Sequence, residues 1–204
     1  MSLAVLDWRR QVATLYAEVR AAPSPETAHR RWRARREELL ATHPASPVPI
    51  EARATRRPGT YGAYDPRLRF VCELDEAVEP AGFSVETGTD GTVSFARLGR
   101  IRLGDLGTLD VWWHTGYGGG LFVPLRDNSP RTYGGGRYVL DTTKGADLGG
   151  AIDAQRGFAR LIVDLNFAYN PSCAYDPAWS CPLAPPSNTV EVALEVGELT
   201  ASPS

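Results

Sequence analysis

The apolar residues of this chain change period once, between Leu40 and Tyr61, and that change dictates a fold in two parts. Before it, Trp8, Val12, Leu15, Tyr16 and Val19 recur at helical spacing, with Asp7 placed to cap the start of a helix. Pro23-Ser24-Pro25 breaks that helix. Ser24 can cap a second one with Pro25 at its first position, where a missing N–H costs nothing. Ala28, Trp32, Arg36, Leu39 and Leu40 form its apolar stripe, while Arg30, Arg31, Arg33 and Arg35 cover the remainder. His43-Pro44 ends it, and the proline-rich stretch 44–49 leads onward. Two amphipathic helices with tryptophans on their apolar faces need a surface to pack on, and the remainder of the chain is expected to supply one.

From Tyr61 the pattern becomes short extended runs, at 67–74, 81–87, 92–98, 99–103, 108–114, 121–125, 136–141, 160–168 and 189–196. Asp90-Gly91 is a hairpin signal between two of them, and 143–157 reads as a longer crossing with room for a short helix. The fold class expected is α+β and mainly β: an antiparallel β-barrel or sandwich of about nine strands with an N-terminal helical hairpin. Residues 1–57 form the hairpin and linker packed on the core, and 58–204 the β-rich domain. No internal repeat is visible.

A net charge of −2 argues against general affinity for nucleic acid or acidic membranes, and no run approaches a membrane span. The charge is uneven, because residues 1–57 hold eleven arginines against six acids. Such charge ordinarily marks a solvated helix face. Leu3 to Leu6 is too short for a signal-peptide core and is followed by Asp7, so the expected location is the cytoplasm. There Cys72, Cys173 and Cys181 are expected to be reduced.

Alternation places the polar residues of the strands. In 160–168 it puts Asp164 and Asn166 together on one face, and in 136–141 it puts Arg137 on one side with Val139 and Asp141. An unpaired buried charge is costly, so an Arg137–Asp164 or Arg137–Asp141 pair lining a polar cavity is one reading and a solvated outer face the other. The glycines at 116, 118–120 and 134–136 lack phosphate-loop spacing and read as turns. Cys173 and Cys181 are too far apart in sequence for an ordinary zinc pair, with no histidine near, so no metal is expected. Structural thiols are the leading reading, with a disulfide or a Cys173 nucleophile served by His114 as alternatives.

The loop after the 160–168 strand carries two tyrosines, two cysteines, two asparagines and five prolines, a composition suited to holding side chains still. YGGGRYVLDTTKGADLG, followed by VDLNFAYNPSCAYDPAWSCPLAPPSN, resembles the domain of unknown function 1684 family of bacteria and archaea. The resemblance runs from the Trp32 helix to Gly197-Glu198 and implies no activity, substrate or cofactor. It implies only that Arg137, Tyr138, Asp164, Asn166, Tyr169, Pro171, Cys173, Ala174, Tyr175, Cys181, Pro182 and Asn188 sit in the family signature. Ser187 stands where many members carry an acidic residue, which argues against chemistry by a carboxylate there.

Two functional classes are open. In the first, the chain binds a small molecule in a polar barrel pocket formed by Arg137, Asp164, Asn166, Tyr169, Cys173, Tyr175 and Asn188. Arg137 would hold an anionic group and Asp164 would orient it or act as a base, with catalysis left open. In the second, the same residues form a buried hydrogen-bond network in a non-enzymatic structural or protein-interaction domain. The cofactor is unknown, and oligomerisation is left open.

Overall fold

A computed structural model describes residues 2–54, 59–88 and 91–200. The expected boundary at 57/58 and Asp90 of the hairpin signal lie outside the described residues. Helix α1 spans Ser2–Ala21 and α2 spans Pro25–Thr42, followed by the single turn α3, Ile50–Arg53. Ser24 caps α2 as its sequence requires, with an extended backbone and its Oγ accepting from the Thr27 N–H at 3.2 Å. Asp7 does not cap α1, which starts a turn and more earlier at Ser2. Its carboxylate instead accepts from Gln11 Nε2 at 2.7 Å and meets His43 Nε2 at 3.0 Å, tying α1 to the end of α2. Gln11 Oε1 also accepts from Arg35, and Trp32 Nε1 donates to the Tyr16 hydroxyl, so polar bonds fix the hairpin along its length.

The strands are β1 Thr60–Tyr61, β2 Arg69–Glu73, β3 Gly82–Thr87, β4 Gly91–Arg102, β5 Thr108–His114, β6 Leu121–Leu125, β7 Arg137–Asp141, β8 Gly150–Asp153, β9 Phe158–Asp164 and β10 Glu198–Leu199. Strands β3-β4-β5-β6-β7 form a curled antiparallel sheet, half a barrel; β2-β9-β8 and β1-β10 form smaller antiparallel sheets. The mainly-β, α+β architecture with an N-terminal helical pair is therefore the one the periodicity implies. One core spans the parts, with Leu15, Tyr16 and Trp32 of the hairpin packed among Val139, Leu161 and Phe167.

Three departures from the expected strands have local causes. The runs 92–98 and 99–103 are one strand, β4, whose register shifts between Arg97 and Gly99. A side chain at position 99 would meet the Asp75 carbonyl at 2.6 Å, so only glycine lets the bulge lie against that segment. The 143–157 crossing contains a 3-10 turn at Thr142–Lys144 and the edge strand β8. Most informative is 189–196, expected to be a strand, which has only an isolated bridge from Thr189 to Arg126. The carbonyls of Leu194, Val196 and Glu198 accept instead from the guanidinium of Arg137. Past Val192, whose carbonyl accepts from the Asn128 N–H, an arginine side chain thus occupies the place a neighbouring strand would take.

Candidate functional site

Arg137 on β7 is fully buried, and its expected partners are corrected: it pairs with Asp127 at 2.9 Å, not with Asp164 or Asp141. Asp127 is as buried as its partner, and its Oδ1 also accepts from Leu194 N and Thr132 Oγ1. With two terminal nitrogens bound to one carboxylate and three carbonyls, Arg137 staples the C-terminal segment to the sheet. Burial works against its charge and Asp127 supports it. It lines neither the cavity beneath the hairpin nor the depression beside the α1–α2 turn.

Alternation does not carry through Asp164 and Asn166 at the end of β9, because the chain turns there into a 3-10 turn, Leu165–Phe167. Asp164 caps that turn, its Oδ1 accepting from the Asn166 N–H at 3.0 Å and from Asn166 Nδ2 at 2.7 Å. Asn166 also clasps the Asp65 backbone, accepting from its N–H at 2.8 Å and donating to its carbonyl at 2.9 Å. Burial raises the Asp164 pKa against the bonds from Asn166. Asn188 sits apart from both, accepting from Trp112 Nε1 and donating to the Asp110 and Pro124 carbonyls. Cys173 and Cys181 are unbridged; the Cys173 N–H donates to the Cys181 sulfur at 3.3 Å, and Cys173 Sγ accepts from the Tyr133 hydroxyl at 3.5 Å. Burial pushes the Cys181 thiol up to about 11, a poor nucleophile at neutral pH.

Of the seven expected residues, only Tyr169 and Tyr175 reach a cavity beneath the hairpin, of about 100 Å³. Its walls come from Trp8 and Tyr16 of α1, Trp32 and Arg36 of α2, Tyr138 and Asp141 of β7, Lys144 beyond it, and 169–172, Tyr175 and Cys181 of the proline-rich loop. Arg36 lies one turn after Trp32 on the buried stripe of α2, which carries its charge into the interior. There Arg36 Nη2 lies 2.8 Å from Glu198 Oε2, and the guanidinium stacks over the Tyr169 ring at 4.6 Å. Nη2 also donates to the Tyr175 hydroxyl at 2.9 Å and the Asn170 carbonyl at 3.2 Å. Glu198, 1% exposed, accepts as well from the Tyr175 hydroxyl and from the Asn170 N–H at 3.0 Å. Burial opposes the charge of Arg36, yet Glu198 and the surrounding tyrosines hold its pKa well above the ordinary value.

The opposite side of the cavity is not closed in this way. Asp141 is 7% exposed, forms no ion pair among the described residues, and its carboxylate accepts from the Lys144 N–H at a long 3.3 Å. Burial raises its pKa, with Lys144 pulling the other way. Asn170, 6% exposed, has its side-chain oxygen buried without a donor.

A second, larger depression of about 400 Å³ lies beside the α1–α2 turn and is lined in part by Arg20, Ser24, Arg69 and Asp164. Asp164 already bonds Asn166 and Tyr64, and Arg69 stands 3.7 Å from it.

Sequence reasoning missed Arg36, Asn170 and Glu198 as site residues, and offered Asp141 as lining a cavity only in a pair with Arg137. Arg36 had a readable signal, a charge on a buried helical stripe that needs a partner. Glu198, 162 residues away, had none.

Residues 59–199 match the family described as "Protein of unknown function (DUF1684)". The solution NMR structure of an uncharacterized protein of Haloarcula marismortui is similar at 30% identity and a TM-score of 0.58, over 86% of this chain and 94% of that one. No curated protein matches. Among the described residues, no helix is long and apolar enough to cross a membrane, and no cluster of three or more His, Cys, Asp or Glu could hold a metal ion.

Proposed function

The chain belongs to the DUF1684 family, whose description assigns no activity, and from its geometry we propose that it binds a small molecule in the cavity between the helical hairpin and the sheet. The observation that carries this reading is the open cavity itself, whose lining includes Asn170, a residue with a buried side-chain oxygen that has no donor. Native proteins leave few buried polar groups unbonded, and one on a residue that lines a cavity is a candidate ligand contact. A volume of about 100 Å³ suits a molecule of a few heavy atoms. The signature residues then act as scaffold. Arg137 fixes the backbone of Glu198, and Glu198 in turn holds Arg36 and Tyr175 at the cavity wall.

A second reading, a structural domain whose signature is a buried hydrogen-bond network, is favoured by the bonding of Arg137, Asn166 and Asn188 to backbone groups. The two separate by experiment. Nitrogen-15 NMR titrations with methylammonium, acetate and acetamide are expected to show saturable shifts with at least one probe at the amides of Tyr138, Lys144 and Asn170. Ala146→Leu, which adds three carbons at a buried lining position, is expected to abolish them. No saturable probe, or unchanged binding in the Leu variant, would leave the structural reading. Cytoplasmic location belongs to the same proposal, resting on three unbridged cysteines. Thiol counting on freshly isolated, denatured protein checks it, with fewer than three free thiols counting against it.

A further inference from the structure

We infer that the cavity selects a compact organic cation or amine, of the alkylammonium class, with Asp141 as its counter-charge. The inference rests on the small-molecule reading of this cavity and adds the sign of the ligand.

The charges on the cavity wall divide unequally. Arg36 is neutralised by Glu198, which contacts it at 2.8 Å, and its Nη2 is engaged with the Tyr175 hydroxyl and the Asn170 carbonyl. Lys144, the other cation among the lining residues, is exposed, so water screens its charge. Asp141 is the lining carboxylate, and it is buried with a single long bond from a backbone N–H and no ion-pair partner among the described residues. A buried carboxylate in this condition either carries a proton or meets a cation. Asn170 adds an acceptor that lacks a donor. A buried carboxylate without an ion-pair partner and an amide oxygen without a donor favour a ligand rich in N–H groups over an anion, which would repel both.

The remaining walls agree with that sign. Trp8, Tyr16, Trp32 and Tyr138 line the same space, and the electron-rich faces of such rings attract cations, most strongly when water is excluded. Tyr169 already demonstrates the contact within this cavity, since the Arg36 guanidinium lies over its ring. A methylammonium ion has two heavy atoms and larger alkylammonium ions a few more, a range compatible with about 100 Å³. The anionic ligand suggested by Arg137 finds no support here, because that guanidinium is engaged elsewhere and lines neither described cavity.

The experiment titrates the full chain with methylammonium chloride at constant ionic strength, alongside sodium acetate and acetamide as the anionic and neutral probes. Methylammonium is expected to shift the amides of Asp141, Lys144 and Asn170 saturably, and its methyl protons to show nuclear Overhauser contacts to the rings of Trp8 or Tyr16. Asp141→Asn, which keeps an N-cap acceptor for the 142–144 turn, is expected to raise the methylammonium Kd at least tenfold. Saturation by acetate or acetamide at the same amides without methylammonium binding would overturn the cation assignment and leave the cavity reading standing. Saturation by none of the three would overturn both. Methylammonium binding that is unchanged in Asp141→Asn, or that lacks the ring contacts, would also overturn the assignment, and the contacts need no variant to fold.

Discussion

Arg137, fully buried, and Arg36, largely covered, each meet a buried carboxylate, and they do so for different purposes. Arg137 is packed against Asp127 and three backbone carbonyls, two in a segment that forms no strand and one at the start of β10, with no described cavity beside it. Arg36 faces Glu198 at the edge of an open cavity, among tyrosines, on a helix outside the stretch that matches the family. The contrast teaches that a charged residue within a family signature is not by that fact part of a site. Its bonds decide, and those of Arg137 end on backbone carbonyls and one buried carboxylate.

The largest expected effect is on the first arginine. Arg137→Met leaves Asp127 buried without its partner and three carbonyls without donors, and is expected to cost about 3–5 kcal/mol or to prevent folding. Urea unfolding checks this; a variant as stable as the parent would erase the distinction. Arg36→Met removes the partner of Glu198 in the same way, but beside space that water can enter. It is expected to cost less, about 2–3 kcal/mol. Equal losses in the two variants would mean that the cavity gives Glu198 no relief.

A titration sharpens the comparison from the hairpin side. His29 of α2 is buried among Trp32, Tyr64 and Phe167, and burial lowers its pKa from 6.5 to about 4. An unfolded histidine takes up a proton below 6.5 while the folded one stays neutral, so stability from this group is lost as the pH falls from about 6.5 to about 4. The loss is on the order of 2–3 kcal/mol. Comparing His29→Phe with the parent by urea unfolding at several pH values isolates it. Parallel pH dependences would show that His29 does not resist protonation.

How much the sequence disclosed depends on range. The caps and breaks of α2, and the runs of β3, β5 and β6, are set by neighbours a few residues apart, and they stand where periodicity placed them. The 189–196 segment alternates like a strand, yet its Leu194 and Val196 carbonyls are satisfied by a side chain some 60 residues earlier, which no local pattern encodes. The alternation through Asn166 failed because Asp164 can cap a turn as readily as continue a strand. Among the expected site residues, Tyr169 and Tyr175 reach the cavity because the proline-rich loop does leave β9 to cover it. The residues opposite them come from the hairpin, and only tertiary packing brings those together.

The smallest expected change is also the most direct test. If Arg137 is held for stability and Asp141 for a ligand, the two should differ most plainly in what their removal costs the empty protein. Burial already raises the Asp141 pKa and no ion pair offsets that cost among the described residues, so Asp141→Asn should unfold in urea at or above the parent's midpoint, a gain of about 0–1 kcal/mol. A loss of about 2 kcal/mol or more would make Asp141 a structural residue like Arg137, and would contradict the account.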